Sequence, residues 1–430
     1  MWSRHRILSF TDFISIHSVT LKLSIFICKE INMEVSKRCA AMQFSPIRRF
    51  NVFAFEAERE HGKKVYRLNI GQPDIETPPC FMEAIRNFDK KVIAYAESQG
   101  IDELRDAMIY YMKRDFDMEY ERKDILITNG GSEALILAFT ALLNPGDEAL
   151  IAEPFYTNYN TFCNEVSGVL VPLTTSAEDG YNWAKRDLIE AAITPKTKAI
   201  CCLSPGNPTG RVLTLEDMRL IGDIAKEHDL WIISDEVYRE FVYDGAEAHS
   251  FGQLEDIADR VVIVDSVSKR WSACGARVGA AISKNEEFMS ALLKLAQGRL
   301  CVPTLEQVGA AALYRMDKSY YDEAKAEYEA RRDAAYEEIS KIPGVVCQKP
   351  AGAFYMTCKL PVDDIESFLM FMLKEFDDNG ETAMFAPAPG FYATKGLGGN
   401  EMRIAYVLTP DKMRRACELI KLGVAAYNAR

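Results

Sequence analysis

Lys269 is the residue whose type and setting most suggest chemistry. It follows the apolar run RVVIVDS (260–266) and sits inside SVSKRWSACGARVG (266–279), among Ser266, Ser268, Gly275 and Arg277. An amine beside two hydroxyls and a guanidinium is a nucleophile next to an anion cradle. Read alone, a lysine after a strand is more often a solvated one. Asp235 closes LWIISD (230–235) and opens SDEVY (234–238). A carboxylate at the end of a buried strand requires a cation or hydrogen bonds, unless it merely caps a helix. Arg403 starts the apolar stretch EMRIAYV (401–407), where a guanidinium either snorkels to water or grips a carboxylate in its two-pronged fork. TNGGSEAL (128–135) is a glycine-rich turn leading into a helix, a place where free N–H groups and the positive dipole end attract anions. It departs from the GxGxxG and Walker A patterns, and Ser132 could be no more than an N-cap. Asn207 lies in SPGNPTG (204–210), which by itself reads equally as a stiff turn.

The elements that must position these residues alternate. ILIT (125–128), EALIAE (148–153), AICCLS (199–204), LWIISD and RVVIVDS are short apolar runs, each followed by a turn or a helical segment. Apolarity on both faces predicts a covered, mostly parallel sheet, and each of the five motifs falls at a strand end or in the turn after one, where ligands sit in open α/β sheets. Residues 44–62 read as an amphipathic N-terminal helix, followed by a short strand in VYRLNIGQPD. The helix precedes GQPD and so is a candidate lid. Residues 286–340 read as helical and suited to linking two domains. From about 345 the pattern changes to VVCQKP, AFYMTCKL, a helix, AMFAPAPG, MRIAYV and a terminal helix, a smaller α+β domain. The expected division is a leader over 1–32, an N-terminal helix and arm over 33–75, a large α/β domain over 76–310, and a connecting helix with the small domain over 311–430.

The 430 residues are 48% hydrophobic and 27% charged, ordinary for a globular enzyme, which excludes a disordered chain or a disulfide-stapled mini-protein. The net charge of −12 and the lack of a basic cluster argue against nucleic acid. Eleven scattered cysteines without a CxxC predict reduced thiols in a cytoplasmic protein, with no metal site. The patchy apolar leader is too short in its clean stretches to span a membrane and lacks a secretory cleavage site. It reads as a mis-assigned start with Met33 as the true first residue, a transit peptide being the alternative.

GQPD, YAESQG, TNGGSEAL, EPFY, NPTG, SDEVY, SxSK…GxRVG and MRIAY, in this order, resemble the class I and II aminotransferases, fold-type I enzymes that use pyridoxal 5′-phosphate. The resemblance covers about 35–430 and implies a large cofactor-binding domain beside a small one. It also implies the following roles. Lys269 binds the cofactor covalently and moves the proton at Cα. Asp235 pairs with the pyridine nitrogen; Tyr238 and Asn207 meet the ring oxygen; Tyr156 stacks on the ring. Gly131, Ser132 and Glu133 give backbone N–H groups to the phosphate, Ser132 its side chain as well, and Ser266, Ser268 and Arg277 are its remaining ligands, joined by Tyr95 from a neighbouring subunit, hence a homodimer. Arg403 and Gly71, with Asn207, contact the substrate. The implied activity is ping-pong transfer of an amino group to a 2-oxo acid such as 2-oxoglutarate, with an aspartate-type donor favoured. Alternatives are an aromatic amino acid donor, or a C–S lyase on the same fold. The sequence departs from the common SKTYAMTGWRVG: Arg270-Trp271 replace Thr-Tyr and Ala276 an aromatic, changes expected to shape the pocket or the dimer interface. Cys274 reads as a packing residue. No residue for a second substrate carboxylate is identifiable.

Overall fold

The structure is a computed structural model and describes residues 34–430; the leader over 1–32 lies outside them. Of the described residues, those up to Ala41 carry the short helix Lys37–Ala41 and belong to one unit, and Met42–Arg430 form the other. In this second unit the chain reaches β1 (Lys64–Arg67) after a helix. It then builds β2 (Ile125–Thr128), β3 (Glu148–Glu153), β4 (Val169–Thr174), β5 (Thr197–Leu203), β6 (Trp231–Asp235), β7 (Val261–Ser266) and β8 (Gly279–Ile282). These seven strands form one sheet in the order β2-β8-β7-β6-β5-β3-β4. Only β8 runs against its neighbours; the other pairings are parallel. β2 and β7 are buried along their whole length, as a sheet covered on both faces requires.

The later strands are β9 (Val346–Cys347), β10 (Tyr355–Lys359), β11 (Glu381–Met384), β12 (Ala386–Pro387) and β13 (Glu401–Ala405). β12-β13-β10-β9 make an antiparallel sheet, while β11 pairs in parallel with β1. The fold is thus α/β with a large, mostly parallel sheet, accompanied by a smaller α+β part. Helices Glu286–Arg299, Thr304–Tyr314 and Ser319–Ile339 fill the stretch expected to be helical.

Two local expectations change. The helix expected over 44–62 begins only at Asn51 and ends at Glu60, because Ser45-Pro46-Ile47 form turns from which the chain enters the helix. Pro46 cannot donate to a helical ladder. Arg270 and Trp271 do not reach the cavity; they lie in the core. Arg270 pairs with Asp265 at 2.8 Å and with Glu240 at 2.6 Å, all but enclosed by Tyr111, Trp271 and Tyr314. Tyr314 also donates to Asp265 at 3.2 Å. Removing the cation would take from the buried Asp265 and the nearly buried Glu240 the guanidinium that pairs with both. Arg270→Leu is therefore expected to lower stability by roughly 3–5 kcal/mol in urea denaturation; an unchanged midpoint would show that the pair adds no net stability.

Candidate active site

The carboxyl ends of β2, β3, β5, β6 and β7 lie on one edge of the large sheet, and a cavity of about 530 Å³ opens over it. Each strand end delivers its motif. After β2, the glycine turn enters the helix Gly130–Leu142, so Gly131 and Ser132 present the first helical turn to the cavity. The helix begins two residues before Ser132, which is therefore not its cap. Asn129 holds that position, and its backbone N–H donates to the Glu133 carboxylate at 2.6 Å. Gly130 has a φ of +77°, and a Cβ there would come within 2.5 Å of Arg277 Nη2. The glycine turn and Arg277 are packed too closely for any side chain between them. Arg277 is steadied by the carbonyls of Cys274 at 3.0 Å and Asn129 at 3.2 Å.

After β7, Ser266 caps the short helix Val267–Arg270 by accepting from the Ser268 N–H at 3.2 Å. That helix directs Lys269 into the cavity, where Nζ donates to the Gly71 carbonyl at 3.0 Å. Lys269 is not a solvated surface lysine. Asp235, the last residue of β6, is partly buried and accepts from the Tyr159 hydroxyl at 3.0 Å and from Val237 N–H at 3.3 Å. Burial outweighs those donors and pushes its carboxyl up to about 6. No cationic side chain pairs with it among the described residues. Tyr156 follows β3 and Asn207 follows β5, and both line the cavity.

The small sheet supplies the opposite wall. Arg403 on β13 does not snorkel: it is 2% exposed. Its Nη1 donates to Asn207 Oδ1 at 3.2 Å and its Nη2 to the Asn69 carbonyl, while buried Nε has no partner. Among the described residues no carboxylate faces this guanidinium, and burial lowers its pKa. Tyr355, at the start of β10, was not among the sequence candidates. Its hydroxyl is 2.8 Å from that of Tyr238 and donates to Gly71 at 3.4 Å. A Cβ on Gly71 would collide with it. The AFYMT run signalled a strand but not which side chain faces the site. Ser45, Ile47 and Arg48 also line the cavity unforeseen, as does Cys274, whose thiol donates to the Ser268 carbonyl at 3.0 Å.

Two candidates stand apart. Glu133 does not line the cavity; its carboxylate turns back to Asn129 and pairs with Arg299 at 3.1 Å. Tyr95 is 81% exposed, on a loop that also exposes Val92 and Ile93.

Residues 63–420 match the family model described as aminotransferase class I and II. The chain belongs to this family. An aspartate aminotransferase of Bacillus subtilis (strain 168) is 31% identical over 408 residues, covering 92% of this chain and all of that protein. An aromatic-amino-acid aminotransferase of Thermococcus litoralis is also 31% identical, over 82% of this chain and 90% of its own. The solved alanine aminotransferase of Pyrococcus furiosus superposes with a TM-score of 0.83 at 31% identity, over 91% of this chain and all of its own. These relatives are equally similar and carry three substrate names. Overall likeness therefore identifies an aminotransferase without naming the amino acid.

The raised carboxyl of Asp235 has a measurable consequence in the aminotransferase without bound small molecules. Its folded pKa of about 6 lies above the unfolded 3.8, so its ionisation opposes folding once pH rises through this window. Asp235→Asn should stabilise that form by roughly 2–3 kcal/mol above about pH 6. The advantage should fade as pH drops towards 4, in thermal unfolding followed across pH. A pH-independent difference would contradict it.

Proposed function

We propose that this aminotransferase uses pyridoxal 5′-phosphate to move the amino group of an amino acid to a 2-oxo acid, 2-oxoglutarate being the expected acceptor and aspartate the expected type of donor, by a ping-pong mechanism. The observation that carries this reading is the meeting of Lys269, Asp235, the Gly131–Ser132 helix start with Arg277, and Arg403 around one cavity.

The residues fit the cofactor. The side-chain-free turn at Gly130 and Gly131, Ser132, Ser266, Ser268 and Arg277 form a cradle for a dianionic phosphate. Asp235 offers a carboxylate that gains from a cationic ring nitrogen, since such a partner would offset its burial. Asn207 and Tyr238 are placed for the ring oxygen and Tyr156 for the ring face. Bound there, the cofactor supplies an aldehyde for the substrate amine and a ring that withdraws electrons from Cα.

The chain's own residues do the rest. Arg403 takes the substrate α-carboxylate through a guanidinium that has no anionic partner among the described residues. Asn207 and the Asn69 carbonyl hold that guanidinium in place. Lys269 Nζ removes the Cα proton and returns it, with Gly71 marking its resting position at the cavity wall. The paired hydroxyls of Tyr238 and Tyr355 orient one another at 2.8 Å. In this reading the large sheet and the small one belong to two domains, divided as the sequence suggests, with the substrate between them. A second copy of the chain covers the exposed Val92–Tyr95 loop and receives Tyr95 at its phosphate site. No helix among the described residues is long and apolar enough to cross a membrane, and a cytoplasmic enzyme is the reading preferred.

Purified protein loaded with pyridoxal phosphate should convert single amino acids stoichiometrically to their 2-oxo acids with no acceptor present. The cofactor's visible absorbance should shift in step, and Lys269→Ala should lose at least about 10³-fold in this rate. Catalytic release of pyruvate and ammonia without an acceptor would favour the lyase instead. Sedimentation at micromolar concentration should give twice the chain mass, and Tyr95→Phe should release phosphate-bearing cofactor faster. A single-chain mass would overturn the shared site.

A further inference from the structure

The cavity holds one cation more than the proposed reaction uses. Its wall carries Arg48, Lys269, Arg277 and Arg403 against a single carboxylate, Asp235. Lys269 serves proton transfer, Arg277 the phosphate and Arg403 the α-carboxylate. Arg48 has no such role, and it makes no ion pair among the described residues. The neighbouring Arg49 is turned away and engages Glu366.

The backbone that presents Arg48 is held at several points. Asn69 Nδ2 donates to the Ile47 carbonyl at 3.1 Å and to Asn51 Oδ1 at 3.0 Å. The same residue's carbonyl accepts from Arg403. One residue thus ties the segment before Asn51 to the α-carboxylate grip. Pro46 packs on Gly390 so closely that a Cβ there would lie 2.4 Å from the ring, and Ile47 packs on the cluster of Ala386, Ala388, Phe391 and Tyr392. Phe391 lies in turn under the Arg403 guanidinium, 5.0 Å from its ring centre. Arg48 shares the cavity wall with Ser45, Tyr156 and Asn158. Burial drives the Tyr156 phenol up to about 12, and the charges of Arg403 and Arg48 work against that rise, so both cations act on this stretch of the cavity.

We infer that Arg48 determines specificity by gripping the second carboxylate of a dicarboxylic substrate while Arg403 holds the first; this rests on the aminotransferase reading above. An exposed guanidinium at the cavity mouth remains hydrated until substrate arrives, and a carboxylate matches its fork with two charge-assisted hydrogen bonds. An uncharged substrate side chain would exchange that water for nothing equivalent.

The test uses cofactor-loaded wild-type, Arg48→Gln and Arg48→Lys proteins, titrated calorimetrically with succinate, butyrate and 3-phenylpropionate. Wild type should bind succinate about 30-fold tighter than butyrate, the worth of hydrogen bonds to a charged group. Arg48→Gln should erase that preference and leave butyrate binding unchanged, and Arg48→Lys should keep part of it. In turnover, Arg48→Gln should raise KM for aspartate with kcat little affected, and spare alanine. A preference for succinate that survives in Arg48→Gln, a wild type without one, or a loss falling equally on 3-phenylpropionate would overturn the assignment. Absence of turnover by wild type with every amino acid would instead defeat the aminotransferase reading, while the succinate titration would still decide the role of Arg48.

Discussion

A buried guanidinium without an anion holds this architecture together. Arg403 sits in the middle of β13, sealed from water, and its hydrogen bonds run to Asn207 beyond β5 and to the backbone at Asn69 beyond β1. It is attached at once to the small sheet, to the edge of the large sheet and to the segment leading from β1. Aromatic rings of Tyr355 and Phe391 flank it, at 4.7 and 5.0 Å. Neutral acceptors and ring faces offset only part of what a buried cation loses in hydration. The missing share is what a carboxylate ligand brings, so the interaction that organises the chain in three places is also the one that makes it ready to bind.

Two aspartates on adjacent strands show how the same fold separates stability from chemistry. Asp265 on β7 is fully buried and Asp235 on β6 partly so. Burial pushes Asp265 up, but Arg270 and Arg239 more than reverse it, and its carboxyl ends below its ordinary range. Asp235 has only a tyrosine hydroxyl and a backbone N–H against its own desolvation, and ends above that range. The first is satisfied within the protein and belongs to the core. The second keeps an unfilled demand for a cation and faces the cavity. The distinction lies in the face each side chain takes: Asp235 is in register with Val264, so Asp265, one residue further on, points to the other side of the sheet, where the arginines are.

Much of this was legible in the residues. Doubly apolar runs at helical intervals could only be parallel strands, and motifs at their carboxyl ends had to meet on one edge. What was illegible depended on side-chain direction in segments without a strong period. Arg48 and Arg49 are indistinguishable as neighbours in a chain. Turns at Ser45-Pro46-Ile47, where a helix was expected, send one to the cavity and the other to Glu366. Tyr355 looks like any aromatic in a strand until β10 is set against the Gly71 turn. Arg270 follows the candidate lysine and so suggested the pocket, yet a helix of only four residues is enough to turn consecutive side chains into the site and into the core. Glu133 was grouped with the phosphate ligands through its backbone N–H; that its carboxylate serves the helix start and Arg299 was not legible in the motif.

The division of labour around the cavity follows from what amino acids have in common. Every amino acid offers the same amine, Cα–H and α-carboxylate, and these atoms need groups whose mutual geometry never changes. In the proposed reading the edge of the large sheet provides them from residues locked at strand ends, with Arg403 fixed between the two sheets. Side chains differ, so the groups that read them belong on a part of the chain that can vary without disturbing that geometry. The stretch Ser45–Arg48 meets this requirement: it lies before β1, contributes no strand, and is fastened through Asn69, Gly390 and the Phe391 cluster rather than through the large sheet. Aspartate, aromatic and alanine aminotransferases of equal similarity to this chain are what such an arrangement allows, since the sheet edge can serve all of them while the substrate is chosen elsewhere.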